Sequence, residues 1–266
     1  MSPTFYEGSL FARILKITIL CIITNFTRFP GVKIRPKAIS SLLVHFKQDT
    51  ILVKQKMEKI EDVTVGPCPT SKYLKPLRMH YKQNGKPKIW DLLKVHDSVV
   101  IVVFNSTRNV LVFVKQFRPV IYVASAETFS ENGVDKIDTT KYPSSLGMTI
   151  ELCAGIIDKD HTPQMIAQDE LLEECGYKVP LDKIEKVTSY RSGVGTAGAL
   201  QTLFYVEVTD AMRVSSGGGV AEEGEMIDVV EIPVSEGRSL IMNESVVKPI
   251  HLMFALMWFY ENKWKQ

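Results

Sequence analysis

Cysteine is scarce in this sequence. Four stand in 266 residues (Cys21, Cys68, Cys153 and Cys175), and no two form a CxxC pair. A chain this long needs no disulfide stapling, so free thiols in a reducing compartment are expected, and with them a cytoplasmic location. Cys175 follows Glu174 directly, and that negative charge opposes thiolate formation, which argues against a nucleophilic cysteine. Long apolar runs are also missing. Leu10–Phe26 comes nearest, but Arg13 and Lys16 interrupt it and leave only Ile17–Ile23 clean. A membrane span needs about 20 apolar residues, so no stable span is expected. Nor is there an excess of one charge: the net value is +2. Its distribution is uneven. Residues 1–56 hold nine basic against two acidic side chains, or +7, which leaves 23 against 28, or −5, for the rest. A mildly acidic body excludes a protein that coats nucleic acid, which needs clustered positive charge to replace counterions.

The basic segment 1–56 carries Ser and Thr and is nearly free of acids. It resembles a mitochondrial transit peptide, which would add mitochondrial targeting to the cytoplasmic expectation. The other reading is an upstream extension without a fold of its own, with Met57 opening the folded part.

From residue 57 onward strands dominate. Tyr73–Tyr81 and Lys88–Leu93 flank Asn84-Gly85, a strong hairpin turn, and form a small β unit over 57–95. Ser98–Phe104 is a continuous apolar, β-branched run that returns through Val110–Val114 as a hairpin buried on both faces. Ala124–Met148 is polar and rich in turn residues, and reads as a long loop. A short strand over Thr149–Ala154 leads to Gly155. Pro163–Cys175 has the marks of a helix: Thr162 as N-cap, Pro163 in the first turn, and Gly176 at the left-handed C-terminal position. Strands follow at Ile184–Tyr190, Leu200–Val208 and Met226–Pro233. Gly217-Gly218-Gly219 reads as a flexible loop, and Ile250–Tyr260 has helical apolar spacing. The pattern implies an α/β (α+β) fold: an α/β/α sandwich around a mixed sheet, preceded by the small antiparallel β unit.

Helical geometry makes Pro163–Cys175 informative. At about 100° per residue, Glu170, Glu173 and Glu174 crowd an arc of roughly 100°, while Leu171, Leu172, Cys175 and Met165 face inward. Carboxylates gathered at a helix C-terminus repel one another and oppose the helix dipole. Mg²⁺ or Mn²⁺ bound through their oxygens would offset this. A solvated acidic face is the plain alternative.

The segment from Gly155 to Tyr177 resembles the Nudix box, G-x5-E-x7-R-E-U-x-E-E-x-G-U, residue for residue in length. It keeps Gly155, Glu170, Glu173, Glu174 and Gly176 but carries His161 for the first Glu and Asp169 for the Arg. The resemblance implies a Nudix domain over 96–266 that hydrolyses a diphosphate with a metal-activated water. It implies metal ligation by the Ala154 carbonyl and by Glu170, Glu173, Glu174 and Glu225, with Glu223 and Glu174 as catalytic residues and Glu223 as the base. Glu223 and Glu225 lie in Ala221–Glu225, on a Gly-rich loop expected to close over substrate.

Flanking motifs narrow the branch. Val114–Pro119 is similar to the Q-x-R segment of ADP-ribose and nucleotide-sugar diphosphatases, whose arginine, here Arg118, contacts the diphosphate. Glu151–Gly155, Ser192–Gly195 and Val206–Ala211 together look like the UDP-sugar diphosphatase branch, with Ser192 and Gly193 at the substrate. The resemblance further implies a homodimer in which the 57–95 unit dimerises and binds the base. Tyr73 and Trp90 would stack on that base, one from each subunit, with Asp91 at its edge. The expected reaction is UDP-glucose to UMP and glucose 1-phosphate, with ADP-ribose as a second substrate. The alternative is a catalytically weak Nudix fold that binds nucleotides or a partner, a reading supported by His161 and Asp169.

Overall fold

The computed structural model describes residues 59–71 and 73–264; the 1–56 extension, Cys21 and Met57 lie outside the described residues. In chain order the elements are β1 (Thr64–Val65), β2 (Lys75–Gln83), β3 (Lys86–Lys94), β4 (Ser98–Asn105), β5 (Val110–Phe117), α1 (Pro119–Ser125), β6 (Thr128–Glu131), β7 (Val134–Ile137), β8 (Met148–Glu151), β9 (Cys153–Ile156), α2 (Pro163–Cys175), β10 (Glu185–Ser192), β11 (Ala199–Val208), β12 (Ile227–Pro233), α3 (Val234–Leu240) and α4 (Ile250–Asn262).

The unbroken apolar run of β4 is explained by its place in the centre of the molecule. Val99, Ile101 and Val103 pack on one face of the sheet with Ile166, Ala167, Leu171 and Cys175 of α2. Val100 and Val102 point the other way, to Leu252, Ala255, Leu256 and Phe259 of α4. A strand covered on both faces cannot alternate with polar residues, so side chains of both parities must be apolar. The result is the expected three-layer α/β/α arrangement. The sheet is mixed: its order is β10-β11-β4-β5-β12, β11 is parallel to β4, and β9 and β8 add to β4 and β5.

One feature of this sheet builds the site. β4 and β5 pair only over Val103–Asn105 and Val110–Val112, and beyond that they splay. β9 then pairs with β4, placing Gly155 opposite Val99, while β8 pairs with β5, placing Glu151 opposite Val114. The expected single strand over Thr149–Ala154 is therefore divided between two partners.

The region 124–148 is not a long loop. After the short helix α1, the strands β6 and β7 form a hairpin that extends to β1. Its turn is Asn132-Gly133, with φ of 53° and 76°, the same turn chemistry as Asn84-Gly85. Flanking strands of four residues with few apolar side chains hid it. β2 and β3 form a separate two-stranded sheet. No helix among the described residues is long and apolar enough to cross a membrane.

Candidate active site

The ends of α2 are as the sequence indicated. Thr162 accepts a hydrogen bond from the Met165 N–H at 3.3 Å, and Gly176 takes φ of 77°. The inward face differs from expectation at Leu172, which is 39% exposed, whereas Glu174 is buried at 3%. A buried carboxylate requires a donor, and Glu174 Oε2 accepts the Ala154 backbone N–H at 2.9 Å. This bond ties α2 to β9 and sets Ala154 beside the acidic cluster.

Gly155 faces α2, and an added Cβ would lie 1.9 Å from Glu170 Oε1 and 2.1 Å from its Cδ. The glycine is there because the Glu170 side chain lies across it. Burial, then repulsion from Glu174, Glu173 and Glu225, pushes the Glu170 carboxyl up to about 8. Burial likewise pushes Glu174 up to about 7, against the bond from Ala154. Glu225, on the loop before β12, is within electrostatic reach of both and also accepts the Val220 N–H at 2.9 Å. Glu223 lies in the 3₁₀ turn Ala221–Glu223 that precedes it. The structure thus brings Glu170, Glu173, Glu174 and Glu225 into one electrostatic neighbourhood. Among the described residues no three such side chains already converge on a single point. Partly buried carboxylates whose shared charge disfavours ionisation are a donor set suited to a divalent cation, which would hold them ionised.

Gly217-Gly218-Gly219 has a different use from the flexible approach expected of it. Gly218 N–H donates to the Glu174 carbonyl at 2.9 Å and Gly219 N–H to the Glu173 carbonyl at 3.1 Å. These are two of the carbonyls that a helix end leaves without partners. An added Cβ at Gly217 would meet the Glu174 carbonyl oxygen at 2.2 Å, so the loop packs against α2 through bare backbone. The end of α2 is also held through buried Tyr177, whose hydroxyl accepts from Asn105 Nδ2 at 3.0 Å and Arg108 Nη2 at 3.2 Å.

Arg118 follows the last residue of β5 and caps α1, within electrostatic reach of Glu174 and Glu225. Its Nε and Nη2 donate to the two oxygens of Glu151 at 2.8 and 2.7 Å, and Thr149 Oγ1 donates to Glu151 Oε1 at 2.5 Å. Glu151 is 7% exposed, and no role for it is legible in the sequence. A lone Glu at a strand end has no distinguishing pattern; only the splay of β4 and β5 brings it to Arg118.

The two positions that depart from the box touch each other. His161 Nδ1 donates to Asp169 Oδ2 at 3.1 Å. Acid and base have exchanged places relative to the Glu and Arg of the pattern, and the contact links the loop after Gly155 to α2.

On β3, Trp90 and Asp91 point to opposite faces, as successive strand residues must. The Asp91 carboxylate is taken by Arg78 across the hairpin at 2.7 and 2.9 Å, on the face away from Trp90 rather than at the edge of a base stacked there. Trp90 is 53% exposed, and its indole N–H donates to the Gly195 carbonyl at 3.2 Å, which brings it to the turn begun by Ser192 and Gly193. Gly193 has φ of 59°, and its carbonyl accepts the N–H groups of Thr196, Ala197 and Gly198. Tyr73 precedes β2 and is 61% exposed. Roughly 13 Å of strand separates Lys75 from Met79, the residue opposite Trp90.

No family model matches the chain. Among curated proteins it is 45% identical over 212 residues to the uridine diphosphate glucose pyrophosphatase NUDT14 of Bos taurus, covering 77% of this chain and 96% of that protein. The Mus musculus protein of the same name is 41% identical over the same shares. A GDP-mannose pyrophosphatase of Salmonella arizonae is 34% identical over 167 residues, 62% of this chain and 74% of that protein. With near-complete coverage of two such relatives, and with the Gly155–Tyr177 frame folded around its glutamates, the chain belongs to the Nudix hydrolase family.

Proposed function

We propose that the protein hydrolyses the diphosphate of a nucleoside-diphosphate sugar, converting UDP-glucose to UMP and glucose 1-phosphate, with ADP-ribose as a second substrate. The observation that carries this is the gathering of Glu170, Glu174 and Glu225 beside the partly exposed guanidinium of Arg118. The names of the bovine and mouse relatives support the choice of base and sugar. Ala154 through its carbonyl and Glu170, Glu173, Glu174 and Glu225 would hold a divalent metal, Mg²⁺ or Mn²⁺. Such an ion supplies charge neutralisation at the diphosphate and acidifies bound water. Arg118 binds the diphosphate oxygens with its free N–H groups. Glu223 takes the proton of the attacking water, on the strength of its position in the loop before Glu225. Ser192 and Gly193 line the nucleotide side, with Trp90 stacking on the base.

The working unit is a homodimer on this reading. Leu77, Met79 and Trp90 share one face of the β2–β3 hairpin and are each about half exposed. A two-stranded sheet is marginal by itself, so this apolar face favours cover by a second copy. On this reading the second copy would also supply a Tyr73 to stack on the base opposite Trp90. Cys68, Cys153 and Cys175 are free thiols, in keeping with the cytoplasm.

Purified protein with Mg²⁺ and UDP-glucose is expected to release UMP and glucose 1-phosphate, and Glu174→Gln to lose nearly all of the rate. Cleavage of ADP-ribose with UDP-sugars left intact would overturn the substrate assignment. Binding of nucleotide with no turnover in any metal would favour the binding-module alternative.

A further inference from the structure

We propose that Glu151 is a positioning residue for the diphosphate site: it fixes the plane of the Arg118 guanidinium so that its remaining N–H groups face the substrate. The inference rests on the hydrolase reading above. A guanidinium has five N–H donors in a rigid fork. Glu151 takes two of them side by side, from Nε at 2.8 Å and Nη2 at 2.7 Å, leaving Nη1 and the outer Nη2 hydrogen. Among the described residues Nη1 has no hydrogen-bond partner, and the Arg118 side chain is 43% exposed, so this second edge is open to a ligand. The same guanidinium lies within electrostatic reach of Glu174 and Glu225, so the group that Glu151 holds stands near the acidic cluster.

Glu151 is unsuited to act as a base or a metal ligand itself. Oε1 accepts from both Arg118 and Thr149, Oε2 accepts from Arg118, and the side chain is 9% exposed. The nearby His251 is held toward its neutral form by burial and so does not compete with Arg118 for the carboxylate. Two parallel bonds resist rotation of the arginine plane, which a single bond or a water would not. Binding substrate then costs less side-chain ordering.

The test is a double-mutant cycle on UDP-glucose hydrolysis with Mg²⁺, using Glu151→Gln, Arg118→Ala and the pair. Glu151→Gln is expected to raise KM on the order of tenfold while kcat changes less than about threefold, as lost uniform binding does. In the Arg118→Ala background it is expected to add less than about twofold, because its action passes through the arginine. Glu151→Asp, which keeps the charge, is expected to recover part of the loss. A KM for Glu151→Gln within about twofold of wild type, or losses that multiply in the pair, would overturn the proposal. Should Glu151→Gln fail to fold, Glu151→Asp carries the cycle. If the wild type cleaves no nucleotide sugar, the hydrolase reading fails. The same cycle is then read from calorimetric binding of methylenediphosphonate with Mg²⁺: weaker binding by Glu151→Gln supports the positioning role, and unchanged or absent binding in the wild type and variant alike overturns it.

Discussion

Substituting Gly155 by alanine adds one methyl group at the point where β9 and α2 touch. Its carbon would lie 1.9 Å from Oε1, 2.1 Å from Cδ and 2.5 Å from Cγ of Glu170. Three atoms of one side chain are inside contact distance, so Glu170 must leave its rotamer rather than bend at its tip. Overpacking of this kind costs about 1–3 kcal/mol. For a domain of this size that is a fall in Tm of roughly 2–12 °C, so the fold survives. Activity is expected to suffer more: a carboxylate displaced by an ångström or more costs about a hundredfold in rate. Steady-state hydrolysis of UDP-glucose across a Mg²⁺ titration, with calorimetric melting, reads both effects. The pair Gly155→Ala/Glu170→Ala removes the clash along with its partner, so it is expected to melt higher than Gly155→Ala alone and to stay inactive. The reasoning fails if Gly155→Ala keeps the wild-type rate and Mg²⁺ midpoint, since Glu170 would then not work from where the structure holds it.

Three further outcomes are expected. In metal-free protein Glu170 and Glu174 have carboxyls pushed up to about 8 and about 7 from an ordinary value near 4.5, mainly by burial. A pKa raised by folding contributes most below the unfolded value, so stability without metal should fall as pH rises from about 4.5 to about 8, and added Mg²⁺ should flatten that slope. Urea melts at a series of pH values check the sign, and a rise in stability over that window would contradict it. Gly217→Ala places a carbon 2.2 Å from the Glu174 carbonyl oxygen and should lift the loop from the end of α2, costing about 1–3 kcal/mol in chemical denaturation. The His161–Asp169 pair is partly exposed and worth under about 1 kcal/mol, so His161→Ala should barely move Tm. Asp169→Arg alone should lower kcat/KM, and adding His161→Glu should recover it; equal rates for single and double variants would show that the contact does not matter.

Much of this was legible in the chain. The apolar run of β4, the Asn84-Gly85 turn, and the Thr162 and Gly176 caps are local signals, each set by the conformational preference of a few neighbouring residues. The spacing from Gly155 to Tyr177 is local too, because one loop and one helix carry it. Glu170, Glu173 and Glu174 share a helix face by geometry alone. Other features are not local and could not be read in this way. Which glutamate is buried depends on Ala154, twenty residues earlier, presenting an N–H across the layer gap. The steric need for glycine at Gly155 exists only once Glu170 crosses it. The role of Gly217–Gly219 as a helix cap and the pairing of Arg118 with Glu151 both follow from segments that meet only in the fold. The sequence by itself determined the family frame and the identity of the charged groups, because those depend on short-range spacing. Only the tertiary structure decided which groups are desolvated, which are paired and which are open to a ligand, because burial and hydrogen bonding belong to residues that meet in space from distant parts of the chain.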